Sequence, residues 1–238
     1  MKVNFTHDLG GQKVQYEDVL KKLKSLSNPK AVEGMARYGI NPNNNLGINV
    51  TTLRKLAKEI GMDHELALKL WASGIRDARF LAATIDDPAQ VTEEQLESMV
   101  LDLNSWDICD HCCSDVFLKS KYAYKKTLEW SSRNEEFVKR AGFSLMARLA
   151  VKDKKAGDEK FEQFLPIIER EAHDDRNYVK KAINWALRQI GKRNPRLNKK
   201  ALETARKIQK MDSKSARWIA SDAIRELTSE KIQRRFRK

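Results

Sequence analysis

The signals of β-structure are nearly missing from this chain. No stretch alternates β-branched and polar residues over strand length, and the five prolines and ten glycines fall mostly between segments of helical periodicity, which argues against a sheet protein. No apolar run approaches the ~20 residues of a membrane-spanning helix, although 41% of the 238 residues are hydrophobic. A soluble protein with no membrane partner is expected. Cysteine is scarce too: there are three, all between positions 109 and 113, which leaves no room for a disulfide framework and suits a reducing cytoplasm. Met1 to Gly11 holds one lysine and no apolar stretch, unlike a secretory signal, so a cytoplasmic location is expected. The length fits one domain over 1–238 or one extended repeat array. Within it, 1–15 is a candidate flexible lead and 229–238 a basic tail.

What is present in excess is positive charge, and it is unevenly placed. Residues 1–118 carry 13 Lys and Arg against 17 Asp and Glu, whereas 119–238 carry 33 against 16. The C-terminal half is therefore the half that faces a polyanion, because clustered cations supply the salt-sensitive, sequence-independent part of nucleic-acid affinity. Charge alone does not separate DNA from RNA. A basic helix face can also be plain solvated surface.

Helical periodicity fills the rest. Helices are expected near 16–27, 29–38, 51–60, 63–73, 75–85, 92–103, 105–117, 121–132, 134–150, 158–172, 175–191, 197–210 and 213–226. Asn and Asp stand before several of them, as N-caps should, and Gly191 is placed as a C-cap glycine with Pro195 shortly after. Four segments look alike, starting at Ala78, Val138, Val179 and Ala216, each with small or branched residues at helical spacing beside basic ones. Their starts lie 60, 41 and 37 residues apart, and the helix at 105–117 falls inside the widest gap. That is close to the ~40–47-residue period of HEAT and armadillo repeats. The expected architecture is an all-α superhelix, a HEAT/armadillo-like solenoid whose concave basic face would bind DNA.

One segment holds more chemistry than its neighbours. In Trp106-Asp107-Ile108-Cys109-Asp110 the tryptophan and the last aspartate are four residues apart, so on a helix they share a face. An aromatic plane beside a carboxylate suits a cationic ligand. A core tryptophan beside a solvated aspartate would give the same spacing.

With these features in place, the chain resembles the AlkD family of DNA glycosylases, HEAT-like proteins that excise alkylated purines. The similarity runs from about Tyr16 to about Leu227. It rests on Met35-Ala36-Arg37-Tyr38 with Leu46-Gly47-Ile48 and Arg54, on the Trp106–Asp110 segment, on Lys139-Arg140-Ala141, and on Lys181 to Arg188 followed by Lys192, Asn194 and Pro195. The resemblance implies that Asp110 is the catalytic carboxylate, that Trp106 and Trp185 flank the lesion nucleotide, that Tyr38 completes an aromatic cleft and that Arg140 contacts the backbone near the scissile site. Arg188 and Lys192, with Arg193 beside them, would hold phosphates. The implied activity is hydrolysis of the N-glycosidic bond of N3- or N7-alkylated purines in duplex DNA, by a monomer without a cofactor and on a base left in the stack. Ser105 stands where some members carry a second tryptophan.

Other readings of the same residues differ. A helical-repeat protein that binds damaged or branched DNA without cutting it would show the same basic half, and a protein-interaction scaffold would show an apolar patch instead. Arg140 is also spaced to pair with Glu135 or Glu136. Trp71, Trp130 and Trp218 are expected in the core. Cys109, His111, Cys112 and Cys113 invite a zinc reading, but a tetrahedral site takes ligands from two segments, and His7, His64 and His173 stand alone. No metal is expected, nor a cysteine nucleophile, and Gly10-Gly11 is too isolated for a phosphate loop.

Overall fold

A computed structural model describes residues 14–237. The chain forms two compact units that meet in sequence at Lys121 and Tyr122. Among the described residues there is no strand, and no helix is long and apolar enough to cross a membrane. Of the expected lead, 1–13, with Gly10-Gly11 and His7, lies outside them.

The first unit contains α1 (Tyr16–Ser25), α2 (Pro29–Ala36), α3 (Val50–Ile60), α4 (His64–Ala72), α5 (Arg76–Ile85), α6 (Glu93–Leu101) and α7 (Trp106–Asp115), with a 3-10 turn at Phe117–Lys119. Asn28, Asn49, Asp63 and Thr92 each accept the backbone N–H three residues on and so cap α2, α3, α4 and α6. Each such cap contributes about 1 kcal/mol. The core is Leu53 and Leu56 from α3, Leu66 and Leu70 from α4, Phe80 and Leu81 from α5, and Ile108, Cys109 and Cys112 from α7.

The second unit contains α8 (Ala123–Ser131), α9 (Glu136–Lys152), α10 (Glu159–Glu162), α11 (Leu165–Glu171), α12 (Asn177–Gly191), α13 (Pro195–Gln209), α14 (Lys214–Leu227) and α15 (Glu230–Phe236). Its centre is α12, which packs on α9, α13 and α14. Val179, Ala182, Ile183, Ala186, Leu187 and Ile190 recur at three- and four-residue steps and are all buried, the larger ones contributing ~2 kcal/mol each. On α9, a Cβ at Gly142 would stand 2.4 Å from the Ser131 nitrogen, so α8 and α9 approach too closely for any other residue there.

Four expectations need correction. The helix expected over 158–172 breaks at Gln163–Phe164, because Pro166 in the first turn of α11 has no N–H to continue the ladder. The basic tail is largely helical: α15 buries Ile232, and Gln233 Nε2 donates to the Leu227 carbonyl at 2.7 Å. Gly191 is not a left-handed cap but the last residue of α12; its missing side chain admits Leu227 and Ala201, which a Cβ would meet at 2.7 and 3.0 Å. Trp218 is 42% exposed, while Trp71 and Trp130 are core.

The repeat is written in the hydrogen bonds between helices. In the first unit four of them link residues 31 apart: Leu46 N to Asp77, Trp71 Nε1 to Asp102, Arg76 to Asp107, and His111 Nε2 with the Phe80 carbonyl. In the second unit the recurring step is 38, from Arg140 to Tyr178, Asn184 to Asp222 and Arg188 to Glu226. The 60-residue gap noted in the sequence therefore contains an extra repeat, headed by α7. The longer step goes with α9, α12, α13 and α14, which are longer than any helix of the first unit.

Candidate functional site

The N-terminal turn of α7 is built around Trp106, which is half-buried and whose Nε1 donates to the Tyr38 carbonyl at 3.0 Å. Tyr38 thus meets Trp106 through its backbone, while the residue itself is 79% exposed. Asp110, one turn along the same face of α7, is also half-buried, and its carbonyl accepts from Ser114 Oγ at 2.8 Å. Ring and carboxylate are thereby presented together by one rigid helix.

A buried ionic clamp holds that helix against the loop that carries Tyr38. Arg76 donates to Asp107 Oδ2 through Nε at 2.8 Å and Nη2 at 2.6 Å, and to Asp77 Oδ1 at 3.1 Å. Asp77, fully buried, accepts the backbone N–H of Leu46 at 2.7 Å and of Ile48 at 3.1 Å. On the other side, Ser105 Oγ donates to Asp107 Oδ1 at 2.6 Å and accepts from Asn41 N at 3.2 Å. Asp107 also sits in the first turn of α7, where the helix dipole favours negative charge. The loop, α5 and α7 are joined by charge-assisted bonds, the strong kind. Residues 76, 77, 105 and 107 did not stand out in the sequence, because pairs 31 residues apart have no local pattern.

The cysteine and histidine cluster faces the core. Cys109, Cys112 and Cys113 are buried thiols outside any disulfide, and burial pushes Cys112 well above its ordinary range. His111 stacks on Phe80 at 3.5 Å between centroids; its Nε2 lies 3.0 Å from Thr84 Oγ1, and its Nδ1 lies 3.1 Å from Asp115. Burial pushes its pKa down from 6.5 to about 4 against the opposing pull of Asp115. Among the described residues no three His, Cys, Asp or Glu side chains are grouped to hold a metal ion.

In the second unit Arg140 is 6% exposed and its Nη1 donates to the Tyr178 carbonyl at 2.7 Å, tying α9 to the first turn of α12. Glu135 is held by Arg133. Trp185 is half-buried, with the Arg148 guanidinium 4.8 Å from its ring centroid. With its amide oriented to satisfy both neighbours, Gln189 accepts from Trp185 Nε1 at 3.0 Å and from Lys192 Nζ at 3.1 Å.

Of the cations expected to hold phosphates, Arg188 Nη1 lies 2.5 Å and Lys192 Nζ 2.8 Å from the Glu226 carboxylate. Burial raises the pKa of Glu226, but hydrogen bonds from Lys192 and Arg188 outweigh it and hold the group below its usual value. Arg193 is engaged inside the fold: it donates to the carbonyls of Ala150 at 2.7 Å and Ala156 at 3.3 Å and lies 3.8 Å from the Phe161 ring centroid. These bonds tie the end of α9 and the following loop to α12, so its donors point inward.

Sequence reasoning missed Arg148. It lies two turns after Arg140 on α9, is half-buried, has no carboxylate partner among the described residues, and its Nε is buried without a hydrogen bond. Eight-residue spacing from Arg140 is the signal that could have found it.

The sequence model of a family described as DNA alkylation repair enzyme matches residues 19–227. No curated protein matches the chain. Among solved structures, one described as a new family of proteins related to the HEAT-like repeat DNA glycosylases, with affinity for branched DNA structures, superposes with a TM-score of 0.72 at 22% identity, over 90% of this chain and 95% of that one. A designed armadillo repeat protein in complex with the peptide (KR)4 gives a TM-score of 0.36 at 16% identity, over 87% and 95%.

Proposed function

Because the chain belongs to the family of DNA alkylation repair enzymes, we propose that it is a DNA glycosylase that hydrolyses the N-glycosidic bond of N3- or N7-alkylated purines in duplex DNA, with Asp110 as its catalytic carboxylate. The observation that carries this reading is the pairing of Trp106 and Asp110 on a helix clamped through Asp107 and Arg76. An alkylated purine is already cationic and leaves as a neutral base, so no general acid is needed, unlike ordinary glycoside hydrolysis with its two carboxylates. As the bond from C1′ to the base breaks, positive charge passes to the sugar. Asp110 stabilises that charge and orients the water that adds at C1′, whose surplus proton is released to solvent. The Trp106 face selects the charged lesion. In this reading Arg148 contacts a backbone phosphate, and the protein acts as a cytoplasmic monomer with no cofactor.

Chromatography of free bases from methylated duplex DNA tests it. The wild type releases methylpurines, and Asp110→Asn, folded by circular dichroism, releases them about a hundredfold more slowly or worse. Release at an equal rate would overturn the assignment.

The second reading is a protein that recognises damaged or branched DNA without excision. It is favoured by the affinity ascribed to the structural neighbour and by the net charge of the second unit, where residues 122–238 carry 31 Lys and Arg against 16 Asp and Glu. Its mark is tight binding with no base released.

A further inference from the structure

Trp218 lies on α14 with two-fifths of its surface exposed, although the sequence placed it in the core. Its surroundings are cationic. Lys180 of α12 holds its ammonium 5.8 Å from the ring centroid. Lys214, one turn earlier on the same helix, and Lys181 are both exposed. The helix that carries the ring is firmly held: Asn184 Nδ2 donates to Asp222 Oδ2 at 2.7 Å and Ser215 Oγ to the Asp174 carbonyl at 2.6 Å, fixing α14 to α12 and its preceding loop.

Trp218 and Asp222 repeat the four-residue spacing of Trp106 and Asp110, and here a cation lies beside the ring. Asp222 is compensated by Arg225 and by Arg188 at 3.6 Å, so no bare carboxylate is left to favour a cationic ligand. What remains is an exposed indole with the Lys180 ammonium beside it and the exposed Lys181 and Lys214 on the same two helices. That combination is how proteins hold unpaired nucleotides: the base stacks on the aromatic plane and the cations take the flanking phosphates.

We propose that Trp218 and Lys180 form a stacking site for an unpaired base of a single-stranded DNA segment, separate from the chemistry at Asp110. The proposal rests on the reading of the protein as DNA-binding. A fully paired duplex offers no free base face along its length, so the site distinguishes DNA that carries a single-stranded tail from blunt duplex.

The test is fluorescence anisotropy at fixed ionic strength with a blunt duplex and with the same duplex bearing a single-stranded tail. The wild type is expected to bind the tailed DNA more tightly. Trp218→Ala loses about tenfold or more on the tailed DNA and little on the blunt one, Trp218→Phe keeps most of the preference, and Lys180→Gln lowers the salt slope on the tailed DNA by about one. Release of methylpurines by Trp218→Ala remains at the wild-type rate. An equal loss on both DNAs, or no loss on either by a variant with wild-type circular dichroism, overturns the proposal and leaves the patch for a protein partner. Failure of the wild type to bind either DNA overturns the DNA-binding reading itself, and the stacking site with it.

Discussion

The two units of this protein repeat at different steps and carry different charge. The first links its helices through side chains 31 residues apart and presents Trp106 with Asp110 on an α7 that also bears Asp107 and Asp115. The second steps by 38, uses helices of 14 to 17 residues for α9, α12, α13 and α14, and presents Trp218 with an Asp222 already compensated by arginines. In the proposed reading, identical spacing on two helices serves two chemistries. Helical geometry brings ring and carboxylate together, but the groups supplied by the neighbouring helix decide whether a cation or a phosphate is welcome there. Each unit also has its own buried ionic clamp, built in the first around a planar arginine and in the second around an ammonium.

The largest effects are expected from breaking those clamps. Lys139 is 7% exposed and its Nζ lies 2.7 Å from Glu171 and 3.5 Å from Asp174. Burial raises both carboxyls, yet hydrogen bonds from Lys139 and Arg170 for the first, and from Arg176 for the second, bring them below their usual values. Lys139→Met should cost about 3 to 5 kcal/mol in chemical denaturation, the range for removing one partner of a buried pair. Arg76→Met should cost a similar amount and, in addition, slow methylpurine release, because it frees the loop that holds Trp106. A fall in release of the same size from both variants would erase the distinction between a structural clamp and a positioning one.

Next in size is the comparison of the two aspartates. Asp110→Asn should reduce release by a hundred- to a thousandfold, or about 3 to 4 kcal/mol of barrier, whereas Asp222→Asn should leave release near the wild-type rate. The assay is the same chromatography, and equal losses would make the shared spacing, rather than the surroundings, the source of activity.

A smaller effect separates α7 from the rest by pH. With His111 pushed down to about 4 by burial, the unfolded chain takes up a proton between pH 6.5 and 4 that the folded chain does not. The stabilisation is therefore complete above pH 6.5 and is lost as pH falls toward 4, by up to about 3 kcal/mol. His111→Gln should flatten this part of the stability curve, measured by urea denaturation across that window. An unchanged slope would place the proton elsewhere.

How much of this could be read in the sequence follows from range. Most of the helices, the Asn and Asp residues before several of them, and the shared face of Trp106 and Asp110 depend on neighbours within four residues, and these are in the structure. The family was legible through motifs of the same local kind. The clamp of Arg76, Asp77 and Asp107 was not, because its partners are 31 residues apart, nor was the 31-residue step, which the chosen self-similar segments skipped. Trp218 and Arg193 were misplaced for a related reason. Hydrophobicity and charge indicate what a side chain favours, while packing between helices decides that a tryptophan stays outside and that an arginine turns inward to Ala150 and Phe161.

The smallest predicted effect tests where the second unit keeps its usable charge. Arg148 stacks on Trp185 without a carboxylate partner among the described residues, whereas Arg188, on the same helix as that tryptophan, already faces Glu226 and Asp222. A guanidinium compensated by two carboxylates releases few counterions when DNA arrives, so it adds little to the salt slope. An uncompensated one adds about one unit. Arg148→Gln should therefore weaken binding to undamaged duplex by about fivefold, or ~1 kcal/mol, and reduce the slope of log affinity against log salt by about one, while Arg188→Gln leaves the slope nearly unchanged. If the two variants shift the slope equally, Glu226 gives way to phosphate on binding, and the charge that matters is the total of the unit rather than the part of it left unpaired.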